Sequence, residues 1–352
     1  MHRVAFATLG AQRGLGDIES RMFRERIDPE HARRPVFVTS LPRAGTTVLL
    51  EALAGLPEFA AATYRHMPFT LLPLLWTDAT RRFQASGRTS ERAHGDGIEV
   101  GYDSPEAFEE MVWMAFWPRH YRGTRIGPWS ATARDAEFEA FLRQHMAKVV
   151  AAGPAGARRY VSKNNANIAR LALIGRAFPD ATVVIPVREP WAQTASLLRQ
   201  HLRFKEVHAR DDFARRYMEG IGHFEFGAAL KPIRFGDDPP DPQDADQQEF
   251  WLRYWADAYA AVLATAGERV VFVDHDALSA APAPYVGPLA AALGIEDANA
   301  LGRGFARLRP QPPAEAPQAA PAVLERVADI YAALRRRCLR PEPVKLREIS
   351  AG

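Results

Sequence analysis

The chain has 352 residues, 47% of them apolar and 25% charged, with a formal net charge of +3. That balance fits a globular protein and excludes a disordered chain, a collagen-like fibre and a coiled coil; the weak charge gives no reason to invoke nucleic acid. A single cysteine, Cys338, excludes an internal disulfide and a cysteine-built zinc site, and with no apolar run of 18 residues and no signal-peptide pattern the expectation is a cytoplasmic protein without a membrane segment.

Residues 1–34 are polar and Arg-rich. RPVFVTS (34–40) reads as the first strand, β-branched and apolar as in a strand buried on both faces. It runs through LPRAGTT into VLLEALAGL, a helix closing near Gly55 and Pro57, which is the opening of an α/β unit. MPFTLLPLLW (67–76) is a dense apolar run, and residues 81–97 read as a polar loop. In SPEAFEEMVWMAFW, Ser104 has the character of a helix N-cap, Pro105 suits the first helical position and Glu106 the first turn. Phe108, Met111, Val112 and Phe116 then share one face of that predicted helix. Both apolar segments read first as core, with an acceptor-pocket lining as the alternative. A further helix is predicted at 137–150.

The α/β rhythm then resumes: strand RRYVSK (158–163), helix NNANIARLALIGRAF, strand ATVVIPV (181–187), helix EPWAQTASLLRQHLRF. A long helix follows in DQQEFWLRYWADAYAAVLATAG, then the strand and turn RVVFVDHDAL (269–278), the helix PYVGPLAAALGI, a Pro/Ala linker (309–321) and a basic helix at 322–337. This order predicts one α/β domain over 1–352, with a mostly parallel central sheet. It carries a largely helical insertion at about 58–150 and a basic helical tail at about 319–352.

The first chemistry lies in Pro42, Arg43, Ala44, Gly45, Thr46 and Thr47. A helix starting near Gly45 points its free N–H groups and the positive end of its dipole at one spot, an anion site. Thr46 and Thr47 add hydroxyls, and Arg43 adds a cation. A Walker A loop would need a second glycine and a lysine that this loop lacks, so an ordinary kinase or ATPase is disfavoured. The chain has only five lysines against 40 arginines, which draws attention to each of them.

TSLPRAGTT resembles the 5′-phosphosulfate loop of the sulfotransferases that use 3′-phosphoadenosine 5′-phosphosulfate (PAPS). VVIPVREPWAQTAS is similar to that family's 3′-phosphate site, an Arg at a strand end (Arg188) and a Ser eight residues later in the next helix (Ser196). YVSK resembles the strand whose terminal Lys, here Lys163, contacts the sulfate, and FVDHDAL resembles the late strand and acidic turn. The resemblance covers about 35–55 and 158–295. It implies a P-loop-like three-layer α/β sandwich. It also implies transfer of a sulfuryl group from PAPS to a hydroxyl or amine of a small-molecule, lipid or sugar acceptor, with release of 3′,5′-ADP and no metal. Arg43 and Lys163 would stabilise the departing charge.

The resemblance also implies a His or Glu base. Some members place a His just past the strand-end Lys; Asn165 stands there, so that version is absent. Others place the base about twenty residues past the loop Arg, which selects His66. His94, Glu109, Glu110 and Glu225 are the alternatives. A third arm of the 3′-phosphate site would come from Arg303, Arg307 or Arg309, or from the N-terminal segment. The rival readings are a nucleotide kinase-like phosphotransferase and a non-catalytic nucleotide-binding scaffold. A nucleic-acid binder is disfavoured, because no basic stripe interleaved with aromatics is seen. No oligomeric state follows.

Overall fold

The computed structural model describes residues 6, 8–80, 90–91, 99–100, 104–310 and 314–343. Its strands are β1 (Val36–Val38), β2 (Phe59–Ala60), β3 (Ser90–Glu91), β4 (Glu99–Val100), β5 (Arg159–Lys163), β6 (Thr182–Val187) and β7 (Val270–Asp274). Five of them form one parallel sheet in the order β2-β5-β1-β6-β7, while β3 and β4 form a separate antiparallel pair. The chain crosses from β1 to neighbours on both sides, so the carboxyl ends of β5, β1 and β6 open onto a crevice of the kind in which open α/β sheets bind ligands.

The central strands carry no polar face because helices cover both sides, in three layers. Val36, Val38, Val161, Val184 and Val273 feed one core, with α2 (Thr46–Ala54) packed over it. Phe37, Tyr160, Val183, Ile185 and Phe272, one residue out of step, feed the other. Pro186 is tolerated inside β6. Its nitrogen lies on the side of Val184, toward β1, and β1 has already left the sheet by that point.

Between β2 and β5 lie α3 (Pro73–Thr80), α4 (Glu110–Phe116) and α5 (Ala136–Ala152). The helix-start signature at Ser104–Glu106 is overruled. This segment is extended, Pro105 bridges Thr63, and the Glu106 N–H bonds to Ala62 O. The helix begins only at Glu110, because the residues before it complete the sheet edge beyond β2. A second departure follows β5. A 3-10 turn (Asn165–Ala169) precedes α6 (Leu171–Ala177), and Arg170, at the break, is buried against Glu110. Met67, Leu71, Leu74, Phe108, Met111, Val112 and Phe116 are buried core residues.

Beyond β6 come α7 (Pro190–Arg210), α8 (Asp212–Ile221) and α9 (Gln248–Thr265). Beyond β7 come α10 (His275–Ala280), α11 (Ala283–Leu293), α12 (Ala298–Gly304) and α13 (Pro321–Arg337). Among the described residues no helix is long and apolar enough to cross a membrane.

His145, on α5, is buried, and neither ring nitrogen has a partner among the described residues. Burial first, then the charges of Lys148 and His66, lower its pKa to about 3. An unfolded imidazole titrates near 6.5, so below that pH the unfolded chain takes a proton that the fold refuses. The stability carried by the neutral ring is therefore intact above pH 6.5 and is lost as pH falls toward 3. His145→Leu is expected to flatten the fall of stability over that window, by up to about 1.4 kcal/mol per pH unit. Urea unfolding at several pH values measures this, and an unchanged slope would exonerate His145.

Candidate functional site

The loop after β1 is held from behind by side chains of other elements. Ser40 Oγ donates to Pro186 O (2.9 Å) and lies 2.6 Å from the Tyr259 hydroxyl. Gln193, on α7, donates through Nε2 to Leu41 O (3.1 Å) and Pro42 O (3.0 Å), while its own oxygen accepts from Trp255 Nε1 (2.9 Å). Arg188 Nη1 donates to Arg43 O (2.7 Å). Three successive carbonyls, 41 to 43, are thus bonded back into the protein. The N–H groups at the start of α2 are left to face an anion.

Two residues of the loop have left-handed backbone, Arg43 (φ 68°) and Gly45 (φ 90°). At Gly45 a Cβ would lie 2.4 Å from the His275 ring, so no other residue fits without displacement. For Arg43 that conformation costs on the order of 1–2 kcal/mol, and the clamp on its carbonyl holds it there.

Cationic side chains converge on this loop. Arg43 Nε donates to Ser196 Oγ (3.1 Å), and Lys163 Nζ donates to Thr47 Oγ1 (3.4 Å). Arg188 and Ser196 therefore meet at Arg43, one on its carbonyl and the other on its guanidinium. Burial lowers the Arg188 pKa from its ordinary value; Asp276 opposes this, and the charges of Arg43 and Arg199 add to it. Arg188 Nε is buried with no partner among the described residues. A concentration of guanidinium charge containing an unused buried donor is matched by an anion of more than one oxygen.

His66 lies elsewhere. It is buried, its Nδ1 accepts from the Thr63 N–H (2.9 Å) as part of a turn cap, and burial lowers its pKa to about 4. It lines a separate cavity with Glu51, Ala54, Ala152 and Gly153. Glu109 accepts from Trp113, Tyr160, Ser162 and Asn167. Glu110 accepts from both terminal nitrogens of Arg170, from Tyr121 and from Asn164. Both carboxylates are buried and saturated with donors, which suits a structural role and leaves little capacity for a proton from outside. His94 lies outside the described residues. Arg303 pairs with Asp297 (3.7 Å), Arg309 donates to the carbonyls of Ala306 and Leu308, and Arg307 is exposed. In the N-terminal helix α1 (Leu9–Met22), Arg13 pairs with Glu137 on α5.

The structure also places three residues that sequence reasoning missed. Glu106 lies with its Oε1 3.5 Å from Lys163 Nζ, both side chains buried, and its other oxygen accepts from the Tyr64 hydroxyl (3.0 Å). Gln193 clamps the loop. Arg199 stands one turn beyond Ser196 on α7 and adds charge at Arg188. For Arg199 a signal existed, since i and i+3 share a helix face.

A mainly apolar pocket adjoins the loop. Leu41 and Pro42 form one side, Asn164 and Asn165 the next, and the segment from Gly222 to Ile233 the far wall. Glu225 lines it and accepts from Asn165 Nδ2 (3.1 Å). Asn165 thus lines the pocket two residues after Lys163, with its amide engaged by a carboxylate.

A model of the sulfotransferase family matches residues 35–299. Similar solved structures include sulfotransferase STF9 from Mycobacterium avium, at 15% identity over 88% of this chain and 78% of that one, with a TM-score of 0.49. Sulfotransferase STF1 from Mycobacterium tuberculosis H37Rv is 16% identical over 91% of this chain and 81% of that one, with a TM-score of 0.45. A sulfotransferase from Alicyclobacillus acidocaldarius is 15% identical over 87% and 94%, with a TM-score of 0.37. No curated protein matches the sequence.

Proposed function

Given that this chain belongs to the sulfotransferase family, we propose that it moves a sulfuryl group from PAPS to an acceptor hydroxyl. The observation that carries the reading is the junction at Arg43, where the β1–α2 loop, Arg188 and Ser196 are tied together by direct hydrogen bonds. The residues fit a donor with phosphate groups at both ends of a nucleoside. The loop N–H groups, Arg43 and Thr46 would hold the phosphosulfate, and Ser196 with the unpartnered Nε of Arg188 would hold the 3′-phosphate. When bound, that donor supplies a sulfuryl group whose bond to the phosphate oxygen breaks as the acceptor oxygen bonds to sulfur, leaving 3′,5′-ADP.

The chain's own groups supply the rest. Arg43 and Lys163 present positive charge where negative charge grows, in a partly buried setting that strengthens its effect. Lys163 needs no reorganisation, because Thr47 and Glu106 already fix its ammonium. Glu106 pairs with that ammonium and also accepts from the Ala107 N–H (2.8 Å) and the Tyr64 hydroxyl; for its place beside Lys163, rather than for spare acceptor capacity, we assign it as the group that takes the acceptor's proton. It is held beside Ala62, so it occupies the region in which His66 was expected, supplied by a different stretch of chain.

The test is calorimetric titration with 3′,5′-ADP, 5′-AMP and ATP-Mg²⁺. The 3′,5′-ADP is expected to bind at least tenfold tighter than 5′-AMP, and Arg188→Ala to remove about 1.5–3 kcal/mol of that preference, the size of a hydrogen bond to a charged group. No preference for the 3′-phosphate would overturn the reading. Tighter ATP-Mg²⁺ binding would favour the kinase-like alternative.

A further inference from the structure

We propose that the pocket beside the loop selects an alcohol with an apolar alkyl or aryl body and a single nucleophilic hydroxyl, and discriminates against saccharides. The inference deepens the sulfuryl-transfer reading and rests on it for the word acceptor. The location comes first. Leu41 and Pro42 belong to the loop itself, and Asn164 and Asn165 directly follow Lys163, so a molecule in this pocket lies against the proposed reaction centre.

The chemistry of the wall comes next. Ile126, Phe224, Leu230, Ile233, Trp251 and Leu41 make it chiefly apolar. Most of its polar groups are already engaged. Glu110 is filled by Arg170, Tyr121 and Asn164. Lys231 Nζ donates to Tyr121 O (3.0 Å) and sits over the Phe224 ring, 5.2 Å from its centroid. His223 Nε2 lies 3.3 Å from Ala107 O. What the wall still offers is acceptor capacity: Asn165 Oδ1, buried with no partner among the described residues, and the remaining lone pairs of Glu225.

A ligand satisfying this pocket brings one donor end and an apolar body. A saccharide carries hydroxyls around its whole ring, while the free acceptors sit at Asn165 and Glu225 alone; a hydroxyl turned instead toward Leu41, Ile126, Phe224 or Leu230 is left buried and unpaired, at about 1–3 kcal/mol each. A cationic amine is not favoured either, because the Lys231 ammonium lines the same wall as the Glu225 carboxylate.

The wall is also braced. Ile126 N bonds Pro232 O (3.1 Å), Arg234 N bonds Ile126 O (3.0 Å), and Ile233 N bonds the Tyr254 hydroxyl (3.1 Å). The free volume is about 40 Å³, so a ligand larger than a small alcohol enters by displacing part of this wall.

The experiment is calorimetric titration of the full chain with 2-naphthol and with methyl β-D-glucopyranoside, each with and without saturating 3′,5′-ADP. Naphthol is expected to bind at least about tenfold tighter than the glucoside. Leu230, only partly buried, can be changed without opening the core. Leu230→Asn is expected to weaken naphthol at least fivefold and Leu230→Met to restore it, with 3′,5′-ADP affinity unaltered in both. The inference is overturned if the glucoside binds as tightly as naphthol, or if naphthol is indifferent to Leu230→Asn. The nucleotide titration is a separate readout. Loss of 3′,5′-ADP binding with naphthol behaving as expected would sink the sulfuryl-transfer reading and leave the pocket's ligand class standing.

Discussion

Glu106→Gln is expected to lower kcat by about 10²–10⁴-fold, the usual worth of a positioned general base, while 3′,5′-ADP binds as before. The amide keeps the shape of the carboxylate and can still accept from Tyr64, but it leaves the buried Lys163 ammonium without its counter-charge, so the urea midpoint is measured beside kcat. The amide cannot take a proton. Glu225→Gln supplies the contrast. Glu225 lines the pocket and bonds Asn165, so its change is expected to raise KM more than it lowers kcat. If Glu106→Gln lowers kcat by less than tenfold and Glu225→Gln abolishes it, the assignment of the base passes to Glu225.

Arg170→Met is expected to cost about 3–5 kcal/mol of stability, read as a fall in the urea midpoint. Arg170 has no solvent exposure of its side chain and makes two 2.7 Å bonds to Glu110, with Trp113 and Trp129 stacked at 4.1 and 3.9 Å on its guanidinium. Methionine fills much of the space between the indoles but leaves the Glu110 charge buried and unpaired. The double change Glu110→Gln with Arg170→Met removes that charge as well and is expected to be less destabilising than the single one, a negative coupling that a double-mutant cycle measures. Additive losses would show that the cation–indole packing dominates over the ion pair. Glu110 also accepts from Asn164, next to Lys163, so the single variant is expected to lose activity even below its unfolding temperature.

The β1–α2 loop was legible because its signals are local. A β-branched strand, a Gly–Thr–Thr turn and an apolar helix follow in order, and a left-handed Gly45 is what such a turn requires. Arg188 and Ser196 were legible for the same reason, each placed by a strand end and the helix after it. Their meeting at Arg43 rather than side by side was not, because it depends on the left-handed turn of Arg43, which no neighbouring residue announces. Glu106 was hidden by a helix-start signature that is sound in isolation. The hydrogen bond to Ala62 and the pairing of Pro105 with Thr63 come from more than forty residues away, and they win. Gln193 carries no local signal either, since a glutamine inside a helix usually faces water. His66 matched the expected distance along the chain, yet the fold used it to cap a turn.

The bond from Arg188 to the carbonyl of Arg43 makes the two ends of the proposed anion site a single mechanical part. A nucleotide that draws Arg188 into a fixed position also steadies the carbonyl that keeps Arg43 in its left-handed turn, and so fixes where the Arg43 charge points. One that lacks a group for Arg188 can still rest on the loop, but it meets a looser Arg43. On the sulfuryl-transfer reading, the chain would then tell donors apart in the rate of the transfer as well as in the strength of binding, and a donor without its 3′-phosphate would act as a slow substrate before it failed as a ligand.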